Sequence, residues 1–210
     1  NYTNAWKERS ELIKLGNFDK AWLAALEEVI AQHAVAIASA RIVYVEKINQ
    51  LNHTRQTNLP KNIVQISGLL ETKIAMGEKL SLVEDEYRAY LSHDRTLDFC
   101  GQGIQHSDMN IIHHEKKLSL SFCSTGEQKL MLISLVLAHA EMIKLECAFT
   151  PILLLDEVGA HLDAKKLAAV ISEIIDLKGQ TFITGIEKHP YVLAPNAHFF
   201  KVEHSNLVLD

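Results

Sequence analysis

Two short apolar runs in the last third of the chain, one in PILLLDE (151–157) and one in QTFITG (180–185), narrow the folds open to it. A strand with one wet face alternates apolar and polar residues, whereas a near-continuous apolar run marks a strand covered on both faces. Between the two runs, residues 163–177 carry a helical pattern. Strand–helix–strand order favours parallel pairing, since parallel strands need a long crossover. This part of the chain therefore reads as α/β, with a buried, partly parallel sheet. HFFKVE (198–203) and LVLD (207–210) read as further strands.

The first half reads differently. Residues 3–15 have a helical pattern, and Gly16 suits its C-terminal stop. Asn17 is placed to cap a second helix over about 18–52, in which Leu23, Ile30, Ile37, Tyr44 and Leu51 recur every seven residues. Leu26, His33 and Ala40 partly fill a second seam, which favours a long bundle helix over a true coiled coil. At about 1.5 Å per residue it would run roughly 50 Å. HTRQTNLPK (53–61) reads as a polar connection, NIVQIS as a strand and residues 82–99 as an amphipathic helix. SDMNIIHH and KKLSLSF read as a hairpin about a turn near Glu115. The domains expected are a mainly helical one over 1–98 and an α/β lobe over 99–210.

Composition excludes rather than assigns. With 48% hydrophobic and 22% charged residues and a net charge of −5, the chain carries no global basic signal for nucleic acid. Cys100, Cys123 and Cys147 are few and far apart, which argues against a disulfide scaffold or a zinc site and fits a reducing cytoplasm. No apolar run of about 18 residues and no signal-peptide pattern is visible, so no membrane partner is expected. The 11 histidines include no H-E-x-x-H, and His113 and His114 read as solvated. Lys7, Arg9, Lys14, Lys20, Arg41 and Lys47 could meet DNA phosphates, but Glu8, Glu11, Glu27, Glu28 and Glu46 among them favour a solvated face.

Two stretches carry chemistry. In PILLLDE the apolar run ends in Asp156 and Glu157, and ligands of open α/β sheets gather beyond the C-terminal ends of strands. There one acid can hold Mg²⁺ and the next can orient an attacking water. In SFCSTGEQKLMLISLVLAHA, a polar, glycine-containing start runs into a long apolar helix. Ser124, Thr125, Gly126 and Glu127 fit a capping box, and the same free N–H groups suit a phosphate. The two uses are compatible. Asp163 is a good cap for the helix after it.

The order of these pieces resembles the C-terminal half of an ABC-type ATPase head. Ser124-Thr125-Gly126-Glu127 resembles the signature motif, and Asp156-Glu157 resembles Walker B with its catalytic glutamate. Ala160-His161-Leu162-Asp163 resembles the D-loop, and TFITG ends a strand at Thr184. The wording STGEQKLMLISLVLAHA, PILLLDEVGAHLD and TFITG is similar to the RecF family of DNA-repair ATPases. WKERSELIKLGNFDKAWLAALEEVIAQHAVAIASARIVYV resembles that family's helical arm, and GIQHSDM stands where the family usually has G-P-H-R-S-D-L. Three departures stand out. Gln105-His106 replaces His-Arg, Thr125 replaces a frequent glycine, and no G-x-x-x-x-G-K-[S/T] phosphate loop occurs in the 210 residues.

The resemblance implies a C-terminal portion of a longer protein, in keeping with an N-terminal Asn where an initiator Met is missing. Alone, such a portion is expected to be inactive. With the phosphate loop present, it implies ATP and Mg²⁺ as cofactors and a homodimer closed by ATP and released by hydrolysis. Glu157 would be the catalytic carboxylate and Asp156 the metal ligand; Ser124, Thr125, Gly126, Glu127, Asp163 and Thr184 would bind nucleotide. Single-stranded/double-stranded DNA junctions or gaps would be the substrate, and RecO and RecR the partners. An SMC-like ATPase head, or a non-enzymatic protein-interaction module, is the alternative.

Overall fold

A computed structural model describes residues 2–16, 19–93, 95, 103–186, 197–204 and 206–209. Two helices, α1 (Tyr2–Leu15) and the 35-residue α2 (Lys20–Thr54), open the chain. Gly16 stops α1 at φ +68°, a conformation that glycine adopts without steric cost. The cap expected at Asn17 and the last residues of the helix expected over 82–99 lie outside the described residues. β1 (Asn62–Ser67) comes next, then α3 (Leu69–Ala75), α4 (Leu80–His93) and β2 (Asp108–His113). The rest comprises α5 (Thr125–Cys147), β3 (Leu153–Leu155), α6 (Ala164–Leu177), β4 (Thr181–Ile183), β5 (Phe200–Glu203) and β6 (Asn206–Leu209). Among the described residues the strands form three two-stranded sheets, β1–β2, β3–β4 and β5–β6.

The chain divides into two compact units, residues 1–46 with 64–110, and 47–63 with 111–210. The boundary expected at 98/99 falls among residues outside the description, and the units cut the chain elsewhere, through α2 and the β1–β2 pair. In the first unit the heptad positions Leu23 and Ile30 are fully buried, while Ile37 and Tyr44 are only half-buried, as is Leu51 in the part of α2 that belongs to the second unit. A stripe of small residues, Ala31, Ala34 and Ala38, lets α3 and α4 side chains such as Leu70, Val83 and Leu91 close against α2. By length and composition α2 is apolar enough to cross a membrane, although Glu27, Glu28, Gln32 and His33 interrupt its apolar residues. Its apolar residues Ile30, Ala31, Ala34, Val35 and Ala38 are buried in this core.

Two charges of the first unit, Arg9 and Glu27, depart from the solvated face expected of them, whereas Lys7, Glu11, Lys14, Lys20, Glu28 and Glu46 are exposed. Arg9 and Glu27 are 2% and 1% exposed and pair at 3.2 Å; Arg95 adds a second contact to Glu27 at 2.9 Å. Arg9 also donates to the Leu91 carbonyl at 2.7 Å. Charge counts along a helix cannot reveal such a pair, because burial is decided by what folds over it. Arg41 pairs with buried Glu71 at 3.1 Å. Gln105, where the related motif has His, accepts a hydrogen bond from the Tyr2 hydroxyl at 2.7 Å.

In the second unit, α5 and α6 enclose an apolar core that includes Leu130, Leu137, Leu153, Leu167, Val170 and Ile171. Each such side chain contributes about 1.5–3 kcal/mol on burial. The polar segment 53–61, expected to be a mere connection, fixes both helices. Arg55 pairs with Glu141 of α5 at 3.0 Å and with Glu173 of α6, and it donates to the Ser134 carbonyl at 3.3 Å. Thr57 and the Asn58 N–H also donate to Glu173, at 2.6 and 3.1 Å. Asn62 donates to the Met131 carbonyl at 2.9 Å. Lys47 pairs with Glu146 at 2.6 Å.

Two further expectations change. The hairpin about Glu115 is reduced to one antiparallel bridge, Ile112 to Ser119, and Leu120–Phe122 turns as a 3₁₀ segment. β2 pairs with β1 instead. His113 ends β2 buried rather than solvated, and its ring accepts the Lys116 N–H at 3.4 Å. β3 and β4 are parallel, as their crossover requires, with Leu153 opposite Thr181 and Leu155 opposite Ile183. The sheet is covered on one face only: Leu154 is 77% and Phe182 54% exposed, whereas Leu153 is buried.

Candidate nucleotide site

The acids of PILLLDE emerge where β3 ends, beside the end of its parallel neighbour β4. One side chain organises them. Thr184 lies just past β4, and its main-chain N–H continues the ladder to the Leu155 carbonyl at 3.0 Å. Its hydroxyl donates to an Asp156 carboxylate oxygen and accepts the Glu157 N–H at 2.9 Å. The second Asp156 oxygen is left for another partner. The Glu157 carboxylate is exposed and has no hydrogen-bond partner among the described residues.

The loop from β3 to α6 holds two unusual conformations. Glu157 has φ +46° and His161 φ +64°. For residues other than glycine the left-handed region costs about 1–2 kcal/mol, so surrounding contacts must hold it. The Glu157 carbonyl accepts the Ala160 N–H at 3.1 Å and the Lys129 ammonium. Asp163 ends the loop as the cap of α6, accepting the Lys166 N–H at 2.9 Å. That hydrogen bond, with the Lys166 ammonium beside it, holds the Asp163 carboxyl below its ordinary range.

The start of α5 lies against this loop. Ser124 is its N-cap, in a capping box with Glu127. The Glu127 carboxylate accepts from the Ser124 N–H at 3.1 Å and from its hydroxyl at 2.9 Å. Lys116 pairs with the other Glu127 oxygen. These contacts, Lys116 first, hold the Glu127 carboxyl down at about 2. Thr125 is the first helical residue, so the glycine frequent there in related motifs is not needed for a left-handed turn. Gly126 is needed for another reason: a Cβ at this position would stand 2.9 Å from the His161 carbonyl oxygen.

The predicted residues thus form two neighbouring groups in one unit, Asp156–Glu157–Thr184 at the strand ends and Ser124–Thr125–Gly126–Glu127 at the helix start, with Asp163 closing the loop. Lys116 and Lys129 are the residues that sequence reasoning missed. Lys129 lies within the STGEQK wording but outside the residues expected to bind, Lys116 lies in no motif, and the contact of each is legible only once the fold brings it to an acid or a carbonyl.

A hard cation fits the first group in a limited way. Among the described residues, no group of three or more His, Cys, Asp or Glu could hold a metal. Mg²⁺ does not need one: it takes one or two carboxylates and completes its shell with water and substrate phosphates. Asp156, with one carboxylate oxygen fixed by Thr184, supplies that kind of all-oxygen partial site. At the second group, α5 offers free N–H groups and the positive end of its dipole to an anion.

No protein-family model matches the chain. Curated relatives do. It is 35% identical to the DNA replication and repair protein RecF of Allorhizobium ampelinum, over 99% of this chain and 57% of that one. It is 36% identical to RecF of Rhizobium johnstonii, over 96% and 55%, and 35% identical to RecF of Brucella abortus, over 98% and 55%. Two solved structures share its fold: the recombination mediator protein RecF-ATPrS in the RecFOR pathway (TM-score 0.75, 20% identity) and RecF-ATP in the same pathway (TM-score 0.72, 21% identity). Each match covers 99% of this chain and 56% of the solved one. The chain therefore belongs to the RecF family, with the fold of an ABC-type ATPase lobe joined to a helical part, and it spans about half the length of the curated relatives it matches.

Proposed function

We propose that this chain supplies one half of a composite ATP site in a RecF-type DNA-repair ATPase. The observation that carries the reading is the arrangement around Thr184, which from the end of β4 holds Asp156 and the Glu157 main chain at the end of the parallel neighbour β3. Asp156 would hold Mg²⁺ together with the ATP phosphates. That ion supplies charge neutralisation at the phosphates. Glu157, its carboxylate without a partner among the described residues, orients and polarises the water that attacks the terminal phosphate. Thr184 keeps the Asp156 carboxylate turned toward the strand ends.

The Ser124–Glu127 group serves the ATP held by a second copy. Ser124 gives its hydroxyl to the terminal phosphate, and the N–H groups opening α5 add their partial positive charge. Before ATP arrives, the Ser124 hydroxyl donates to Glu127 and Lys116 neutralises that carboxylate. ATP then joins two copies, and hydrolysis parts them. The bare apolar face of β3–β4 supports the half-site reading, since Leu154 and Phe182 suit a sheet that a further layer covers. The relatives' role in DNA replication and repair supports DNA junctions or gaps as the substrate, and the RecFOR pathway of the solved neighbours supports RecO and RecR as partners. A cytoplasmic protein fits that role.

The test is Glu157→Gln in the protein taken to the full length of its RecF relatives. The amide keeps the size of the carboxylate and loses the charge that polarises water. ATP binding should persist while turnover falls about 10²-fold or more. Hydrolysis at the parental rate would remove Glu157 from the mechanism.

A further inference from the structure

Lys129 lies in the second turn of α5, five residues beyond the Ser124 cap. Its side chain is half-buried, and its ammonium donates to the main-chain carbonyl of Glu157. A surface lysine ordinarily keeps its charge in water and its rotamers free. This one is spent on a neutral carbonyl, at a residue in the left-handed conformation. The N–H of the same residue is held by Thr184 at 2.9 Å. Both main-chain groups of Glu157 are therefore held from outside its own loop, the N–H from β4's end and the carbonyl from α5 beside the Ala160 N–H of the loop itself, while its carboxylate is left without a partner among the described residues. A second contact joins the same two parts: Gly126, one residue into α5, meets the His161 carbonyl so closely that a Cβ would stand 2.9 Å from it.

We infer that Lys129 is a positioning residue, which aims Glu157 and ties it to the helix start that carries Ser124. The inference rests on the function proposed above, in which Ser124 and Glu157 of one chain serve different ATP molecules. A phosphate engaging the start of α5 at one site then acts, through Lys129, on the carboxylate that works at the other. In this role Lys129 acts through the Glu157 main chain and not on the phosphate itself. It sets the direction in which Glu157 presents its carboxylate, and with it the readiness of the second site.

The experiment compares Lys129→Met and Lys129→Arg in the full-length protein, with Glu157→Gln as a control. Methionine keeps the length and apolar stem of the side chain and removes the donor. With Lys129→Met, ATP-dependent dimerisation and the KM for ATP should stay within about twofold, while kcat falls by about 10- to 100-fold, the scale of a misaimed catalytic group. Lys129→Arg, which restores a cationic donor, should recover most of the rate. A parental kcat in Lys129→Met, beside an inactive Glu157→Gln, overturns this inference and leaves the proposed function standing. So does a loss of rate that tracks a lowered melting temperature and is not recovered by arginine. A fully active Glu157→Gln instead overturns the proposed function itself.

Discussion

Replacing Thr184 by valine removes a single hydroxyl at nearly constant shape, and the geometry of the site sets the size of the effect. That hydroxyl donates to Asp156 and accepts the Glu157 N–H at 2.9 Å. A hydrogen bond contributes a net of about 0.5–1.5 kcal/mol. Two are lost here, but Asp156, Glu157 and Thr184 are all exposed and water replaces part of the loss. The expected cost is about 1 kcal/mol, a fall of roughly 2–4 °C in melting temperature for a protein of this size or larger. The functional cost should be greater. Asp156 becomes free to turn away from the strand ends and Glu157 loses one of its backbone anchors, so ATP turnover should fall about 10- to 100-fold. Thr184→Ser keeps the hydroxyl and should retain most of the activity. Steady-state hydrolysis and thermal melts of both full-length variants make the comparison. Parental turnover in Thr184→Val, or equal loss in Thr184→Ser, would refute the organising role assigned to this hydroxyl.

The geometry of the helix start fixes two other outcomes. Gly126→Ala should raise the helical propensity of α5 by roughly 0.5–1 kcal/mol yet push against the His161 carbonyl, an overpacking worth about 1–3 kcal/mol; a thermal melt should show net destabilisation, and a stabilised variant would contradict the contact. The Glu127 carboxyl is held at about 2 against an ordinary 4.5, chiefly by Lys116, so its contribution is present above pH 4.5 and is lost as pH falls toward 2. Acid unfolding monitored by circular dichroism should therefore find Lys116→Gln less stable than the parent at neutral pH and equal to it near pH 2. A deficit unchanged across that window would mean that the ion pair has no part in it.

The strand ends and helix starts are legible in the sequence because local rules fix them. The capping box at Ser124, the cap at Asp163, the parallel pairing of β3 and β4, and Gly16 each depend on a few adjacent residues. The hidden features depend on partners distant in the chain. Arg9 and Glu27 lie 18 residues apart and are buried because α4 covers them, supplying the Leu91 carbonyl. HTRQTNLPK reads as a connection since its residues are polar, yet Arg55, Thr57 and Asn58 all converge on Glu173. KKLSLSF has the alternation of a strand, but β2 takes β1 as its partner and leaves that segment one bridge. The exposure of Leu154 and Phe182 runs against their sequence, which asks for cover on both faces. At the site, the motifs single out every residue given a role except Lys116 and Lys129, although Lys129 lies within the STGEQK wording.

The central claim is that Ser124 of one copy meets the terminal phosphate of an ATP held by another. Ser124 is exposed at the cap of α5, so arginine there is accommodated in a single copy and fills the space that the partner's phosphate needs. The measurement is sedimentation velocity of full-length Ser124→Arg with and without ATP and Mg²⁺, beside a thermal melt and an ATP-binding titration. The account predicts a protein that binds ATP nearly as the parent does, loses about 1 kcal/mol with its cap, and stays monomeric when ATP is added. A variant that dimerises on ATP like the parent would contradict it, and would leave Ser124 as the cap of a helix and nothing more.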